Sequence, residues 1–432
     1  MSDFSTLSVS ELKEIQSDLK GIYATYQKQG LNLDMSRGKP SPLQLDLSNG
    51  MLDVIQSESN LKASDGADSR NYGGLDGIPE AKEFFAEILE VSPKEILIGG
   101  NSSLNLMHDT VMRAMIFGVQ EGETPWGKIP KIKFLCPSPG YDRHFSVCEL
   151  FNIEMVVVDM KDDGPDMDVV EKLVAEDESI KGIWCVPKYS NPDGITYSDE
   201  VVDRLAKMET KASDFRIFWD DAYTVHHLTE DPDQLKNILT ACKKFGNPNR
   251  VFMFSSTSKI TFAGSGIGVM ASTEENLSYI KKLISFQTIG PDKLNQLRHV
   301  RFFKDKDNLK EHMKKHAEII KPKFDMVLSK LEEELSDKNI AFWHEPNGGY
   351  FISLNTLDGC AKKVVSMARE AGVTLTGAGA TFPYGKDPRD RNIRIAPTFP
   401  SLEELEKAMD ILCLCVQITS VEKILESKAV EQ

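Results

Sequence analysis

Six short apolar runs separated by helical patterns constrain this chain more than any other feature. They are EILIGG (95–100), KIKFLCP (131–137), IEMVVVDM (153–160), GIWCVP (182–187), FRIFWDDA (215–222) and RVFMFSS (250–256). Between them lie GGLDGIPEAKEFFAEIL, SLNLMHDTVMRAMIFGV, DMDVVEKLVAE and DEVVDRLAKME, whose apolar residues recur at helical spacing. Buried strands alternating with helices predict an α/β fold with a doubly wound, mainly parallel sheet. In such a sheet ligands lie beyond the carboxyl ends of the strands, so the chemistry belongs in the loops that follow each run.

After about residue 300 the texture changes. KDNLKEHMKKHAEIIKPKFDMVLSKLEEEL reads as one long amphipathic helix, with Ile320, Phe324, Val327, Leu328 and Leu331 on a single stripe and Pro322 as a point of kinking. IAFWHEP, GGYFISL, VTLTGAG and NIRIAP then read as strands around the helical CAKKVVSMAREAG, and a closing helix SLEELEKAMDILCLCVQITSVEKIL follows. This predicts a smaller α+β domain, with an N-terminal helix at 9–29 packed on it. The expected division is 1–49 as a segment joining the small domain, 50–305 as the large domain, and 306–432 as connecting helix and small domain.

Composition narrows the function classes. The 432 residues suffice for two or three domains, and a formal net charge of −15 disfavours a nucleic-acid partner. No apolar run is long enough to span a bilayer, and the first residues lack a basic-then-apolar signal pattern. Seven scattered cysteines show no metal-ligand spacing. A reduced, cytoplasmic protein without a metal or membrane partner is expected.

The strand ends carry the informative residues. EILIGG leads into Asn101, Ser102 and Ser103 at the start of a helix, where free N–H groups and hydroxyls suit an anion; the same residues also read as a plain helix cap. KIKFLCP leads into a Pro-Gly turn with Tyr141, a ring placed either to stack on a flat ligand or to pack. GIWCVP leads toward Asn191 in an NPDG turn. FRIFWDDA ends in Asp220 and Asp221, with Tyr223 next, and an acid ending a buried strand calls for a cation. RVFMFSS leads to Ser256 and Lys259, held between small hydroxyl residues and a glycine-rich tail. An anion nest, a flat aromatic, a carboxylate and a lysine together suit pyridoxal phosphate, whose phosphate, ring, pyridine nitrogen and aldehyde require those groups.

The ordered set YGGLDG, GNSS, PGY, NPDG, DDAY, STSK and IRIAP resembles fold type I pyridoxal-phosphate aminotransferases of the aspartate aminotransferase superfamily, within a bacterial subgroup related to the MocR aminotransferase-like domain. The likeness runs from SRGKPSP (36–42) to RIAPTFP (394–400). It implies that Lys259 forms the Schiff base and moves the proton, and that Asp220 pairs with the pyridine nitrogen. Tyr223 and Asn191 would bond the ring oxygen, and Tyr141 would stack on the ring. Ser102, Ser103 and Ser256 would hold the phosphate, joined by Tyr72 from the partner subunit of a homodimer. Arg394 would clamp the substrate α-carboxylate, and Gly38 would line the substrate entrance. Aspartate and 2-oxoglutarate are the substrates the subgroup suggests.

Two departures accompany the resemblance. The family places a phosphate-binding arginine shortly after the lysine, where AGSGIG has Gly266. LISFQTIGP, the expected neighbourhood of the arginine that reads a distal carboxylate, has none. Arg37 is the expected substitute, with Lys293 and Arg298 in reserve. The competing readings are transamination of an aromatic amino acid or alanine, a lyase or decarboxylase on the same fold, and a ligand sensor without catalysis. A nicotinamide-binding fold is a weaker reading, because no G-x-G-x-x-G follows the first strand.

Overall fold

In the computed structural model, which describes residues 3–430, the six expected runs are all strands of an eight-stranded sheet. In chain order its strands are β1 (Ile96–Gly99), β2 (Lys133–Ser138), β3 (Glu154–Lys161), β4 (Gly164–Pro165), β5 (Ile180–Cys185), β6 (Arg216–Asp220), β7 (Val251–Ser256) and β8 (Gly268–Ala271). The order across the sheet is β1-β8-β7-β6-β5-β2-β3-β4. Pairings from β7 through β6, β5 and β2 to β3 are parallel, whereas β8 is antiparallel to both β1 and β7. Those two reversals return β1 to the direction of β7, so Gly99 and Ser256 end at the same edge. The strand GVMA of β8 was not among the sequence expectations; its four residues between glycine and serine give too short a run to stand out.

Period-2 alternation divides the sheet's side chains between two apolar layers. Ile183, Cys185, Ile217, Trp219, Val251 and Met253 join one core, while Trp184, Phe218, Phe252 and Phe254 join the core on the opposite face. With both faces covered, the central strands can be apolar throughout, as the sequence pattern requires. Phe134, Trp184 and Phe218 contact one another across the second face, with ring centroids 4.8–5.7 Å apart.

A third core holds the chain's two ends together. Phe4 and Leu12 pack with Val327, Leu331, Leu412 and Val416, and Tyr23 Oη donates to the Met367 carbonyl at 2.8 Å. The helix Val9–Gln27 lies against Leu402–Val430, which also receives Lys306–Leu335. Packing on several sides explains why ILCLCV (411–416) is apolar around its whole circumference. Lys306–Leu335 is one helix running through Pro322. A three-stranded antiparallel sheet (Ala341–Trp343, Ile352–Thr356, Asn392–Ile395) completes this part. Leu33–Asp34 pairs in parallel with Val373–Thr374, which ties the segment carrying Arg37 and Gly38 to it. Among the described residues no helix is long and apolar enough to cross a membrane.

Candidate active site

The turn after β7 holds Lys259 by its backbone. Thr257 exchanges bonds with Ile267 across the loop, its N–H donating to the Ile267 carbonyl (3.0 Å) and its Oγ1 accepting from the Ile267 N–H (2.9 Å). Four buried histidines surround this turn. His226 Nε2 lies 3.3 Å from the Lys259 carbonyl, and His312 and His316 approach the Ile260 carbonyl at 2.9 and 3.0 Å. His299 Nε2 is 2.9 Å from Thr261 Oγ1. Burial lowers the pKa of all four, so the rings are neutral. Gln44 Nε2 donates to His316 Nδ1 (3.2 Å), which leaves the His316 proton on Nε2, facing the Ile260 carbonyl. The Lys259 amine projects between aromatic rings, 5.3 Å from the centroid of Tyr223 and 5.6 Å from that of Tyr350. Burial and the charge of Arg394 lower its pKa, and Asp220 opposes them.

Asp220 ends the neighbouring strand and is buried. Its Oδ2 meets His144 Nε2 at 2.9 Å, and the His144 ring stacks on Trp184 with centroids 4.3 Å apart and planes 8° from parallel. Trp184 Nε1 in turn donates to Cys148 Sγ at 3.2 Å. Oδ1 of Asp220 is buried with no hydrogen-bond partner. A protonated ring nitrogen would fill that acceptor, so the carboxylate fits the pyridine side of pyridoxal phosphate. Sequence reasoning did not single out His144. The available signal was its position three residues after Tyr141 at the start of Asp142–Leu150, one helical turn away. Tyr141 meets His144 edge-on at 5.0 Å. Burial, with the charges of Asp220 and Asp142, pushes the Tyr141 phenol up to about 12, and burial also raises Tyr223. Both are neutral donors at ordinary pH.

The anion side lies at the start of the helix Ser103–Phe117. Ser102 caps it, its Oγ accepting from the Asn105 N–H (3.4 Å) and donating to Asn105 Oδ1 (2.6 Å). The Gly268 N–H donates to the Gly100 carbonyl, and a Cβ at Gly268 would lie 2.6 Å from the Ser102 carbonyl oxygen. Glycine is therefore required where the chain after the lysine presses against this turn. Ser256 Oγ bonds Ser258 Oγ at 3.1 Å. The neutral hydroxyls and the helix start suit a phosphate.

Arg394 occupies the opposite side. Nη1 donates to Asn191 Oδ1 and Asp142 Oδ1, each at 3.3 Å, and Nη2 to Thr376 Oγ1 at 3.1 Å. The guanidinium lies 4.7 Å above the Phe351 ring. Gly38 crosses that ring so closely that a Cβ would fall 2.3 Å from Phe351 Cζ. Arg37 beside it is exposed. Tyr72 stands apart from the strand-end group: it is 82% exposed, on the rim of a cavity of about 650 Å³ formed by residues 69–72 and 288–294. Of the reserve cations, Lys293 is buried with Nζ on the Gly73 carbonyl (2.7 Å), and Arg298 bonds Ser265 and Asn295.

The fold is that of solved aminotransferases. An aspartate transaminase from Corynebacterium glutamicum shares it with a TM-score of 0.95 and 43% identity, over 98% of this chain and 99% of that one. LysN, an α-aminoadipate aminotransferase from Thermus thermophilus solved with N-(5'-phosphopyridoxyl)-L-leucine, shares the fold alone, with a TM-score of 0.73 at 18% identity over 94% of this chain and 95% of that one. In sequence, an aspartate aminotransferase of C. glutamicum is 44% identical over 405 residues, covering 94% of this chain and 93% of its own length. Residues 7–428 match the family described as aspartate amino-transferase, and the chain belongs to that family. It is an enzyme, a fold type I aminotransferase, of a class that uses pyridoxal phosphate.

One acid of the NPDG turn has a measurable consequence. Burial pushes Asp193 up to about 7 from its ordinary 3.8, against the opposing bond from Ser353. Between those values the folded protein keeps a proton that the unfolded chain releases, so this residue makes stability fall as pH rises through the window. Asp193→Asn removes the titration. Urea midpoints at pH 5 and pH 8 should show the variant gaining on the wild type at the higher pH; an equal difference at both would contradict the assignment.

Proposed function

We propose that this enzyme transfers the amino group of aspartate to 2-oxoglutarate, with pyridoxal phosphate held between Tyr141 and the strand ends. One observation carries the cofactor placement: the half-buried Lys259 and the unfilled Asp220 Oδ1 lie at adjoining ends of parallel strands. The choice of aspartate is supported by the related enzyme of C. glutamicum that bears this activity in its name. Bound cofactor supplies an electron-withdrawing ring that acidifies the substrate Cα–H bond. Lys259 Nζ, eased toward its neutral form by burial, takes that proton and returns it as general base and then acid. With the cofactor bound, Asp220 Oδ1 would accept the ring N–H while His144 holds Oδ2. Tyr223 and Asn191 would hold the ring oxygen, and Ser102, Ser103 and Ser256 the phosphate. Arg394 offers its planar fork to the α-carboxylate, with Asn191 and Thr376 fixing its plane. The seven free, buried cysteines accord with a reducing, cytoplasmic setting.

Lys259→Ala removes both anchor and base. Its transamination, followed as glutamate formed from aspartate and 2-oxoglutarate, should fall by several orders of magnitude while the circular dichroism spectrum is retained. An alanine variant with full activity would end this reading.

Substrate choice separates the two arginines. Losing a charge-assisted contact costs about 2–4 kcal/mol, or roughly 30-fold to 1000-fold in kcat/KM. Arg394→Ala should impair every amino donor by that order. Arg37→Ala should impair aspartate and glutamate while sparing alanine and aromatic donors, because Arg37 is the exposed guanidinium on the Gly38 segment beside Arg394. Equal losses for dicarboxylic and neutral donors would remove Arg37 from the specificity role.

The exposed Tyr72 ring supports a homodimer in which it completes the partner's phosphate site. Mixing Tyr72→Phe subunits with Lys259→Ala subunits creates hybrids with one intact site, so activity should exceed that of either variant alone. No recovery on mixing would contradict the shared site.

A further inference from the structure

A phosphate monoester brings close to two negative charges, and the serines gathered for it are neutral. This question rests on the cofactor reading above, and the structure narrows it sharply. The place after the lysine where an arginine is expected is tightly packed. A Cβ on Gly266 would lie 3.0 Å from Thr257 Oγ1, 3.1 Å from the Asn101 carbonyl oxygen and 3.3 Å from the Phe262 carbonyl oxygen. Gly266 thus packs against the turn that leads into Ser102, and any side chain there would need these oxygens to give by a few tenths of an ångström.

The same two-residue segment is braced from the neighbouring helix, Lys293–Phe303. Asn295 Nδ2 donates to the Gly266 carbonyl at 2.8 Å and to the Ser265 carbonyl at 3.2 Å. Arg298, one turn further along, donates from Nη2 to Ser265 Oγ at 3.0 Å and to Asn295 Oδ1 at 2.5 Å. Its Nε is buried with no hydrogen-bond partner. Among the described residues no carboxylate lies within ion-pair distance of it, although the chain has 66 acids for 51 lysines and arginines. A guanidinium held only by neutral oxygens, with a buried N–H to spare, is matched to an anion that arrives from outside. The other nearby cations are held elsewhere, although Arg394 Nε is likewise buried without a partner. Lys293 is taken by the Gly73 carbonyl, and Arg394 by Asn191, Asp142 and Thr376.

The geometry points to Arg298 as the cation of the phosphate site. From the adjacent helix it would supply the charge in place of the arginine expected at 266, and its bonds to Ser265 and Asn295 fix it to the segment that packs on the turn leading into Ser102. This role differs from the distal-carboxylate role that the sequence alone suggested for it.

The full-length protein, stripped of cofactor, is titrated with pyridoxal phosphate and separately with pyridoxal, which has the same ring and aldehyde but no phosphate. Binding is read from tryptophan fluorescence, since Trp184 stacks on the histidine that holds Asp220. Arg298→Met should weaken pyridoxal phosphate about tenfold to a hundredfold and leave pyridoxal unchanged, and Arg298→Lys should recover part of the loss. Equal weakening of both compounds would assign Arg298 a merely structural role, and unchanged pyridoxal phosphate binding would also overturn the proposal. A wild-type protein that binds neither compound would overturn the functional reading itself, and this inference with it.

Discussion

The burial of one carboxylate organises the rest of the site. Asp220 stands at the end of an apolar strand whose other residues are buried on both faces, and an isolated charge there would be strongly unfavourable. The surroundings meet that cost in layers. His144 fills one oxygen, Trp184 lies flat against His144, and the Trp184 N–H is itself satisfied by Cys148. Each layer fixes the orientation of the one inside it. The remaining oxygen is left without a donor, which suits an acceptor kept for a ligand. The lysine on the next strand needs the opposite treatment. Its amine must lose charge to act as a base, and burial among tyrosine rings moves it that way, while Asp220 restrains the shift.

The central parallel sheet was legible because both of its faces are covered. That condition leaves continuous apolar runs, and the end of each run then marks a loop where ligands bind. Asp220, Lys259, Tyr141 and Ser102 could be found by walking those ends. The strand Gly268–Ala271 could not, because four residues carry no periodicity of their own and its place is set by pairing with β1 and β7. His144 was hidden for a different reason. Its contact with Asp220 spans 76 positions, and a histidine on a helix has no local mark that separates a site residue from a packed one. The four histidines around the lysine turn share that property. They come from the loop after β6 and from two helices, and only the fold shows that they converge on five consecutive residues, 257–261.

That convergence links the lysine to parts of the chain far from it. The turn's carbonyls are bound by neutral side chains, so they are satisfied without placing further positive charge beside the amine. His316 is fixed by Gln44, whose amide also donates to Tyr350 Oη at 2.9 Å, and Tyr350 lies beside the Lys259 amine. A residue of the N-terminal segment, a residue of the long helix and a residue leading into the small antiparallel sheet therefore position one lysine together. The same N-terminal segment crosses Phe351 at Gly38, directly where Arg394 is seated. Lys259 and Arg394 are thus both approached by residues of one stretch of chain, 36–48. A shift of that segment relative to the large sheet would move Gln44 against His316 and Gly38 against the Phe351 ring in the same step.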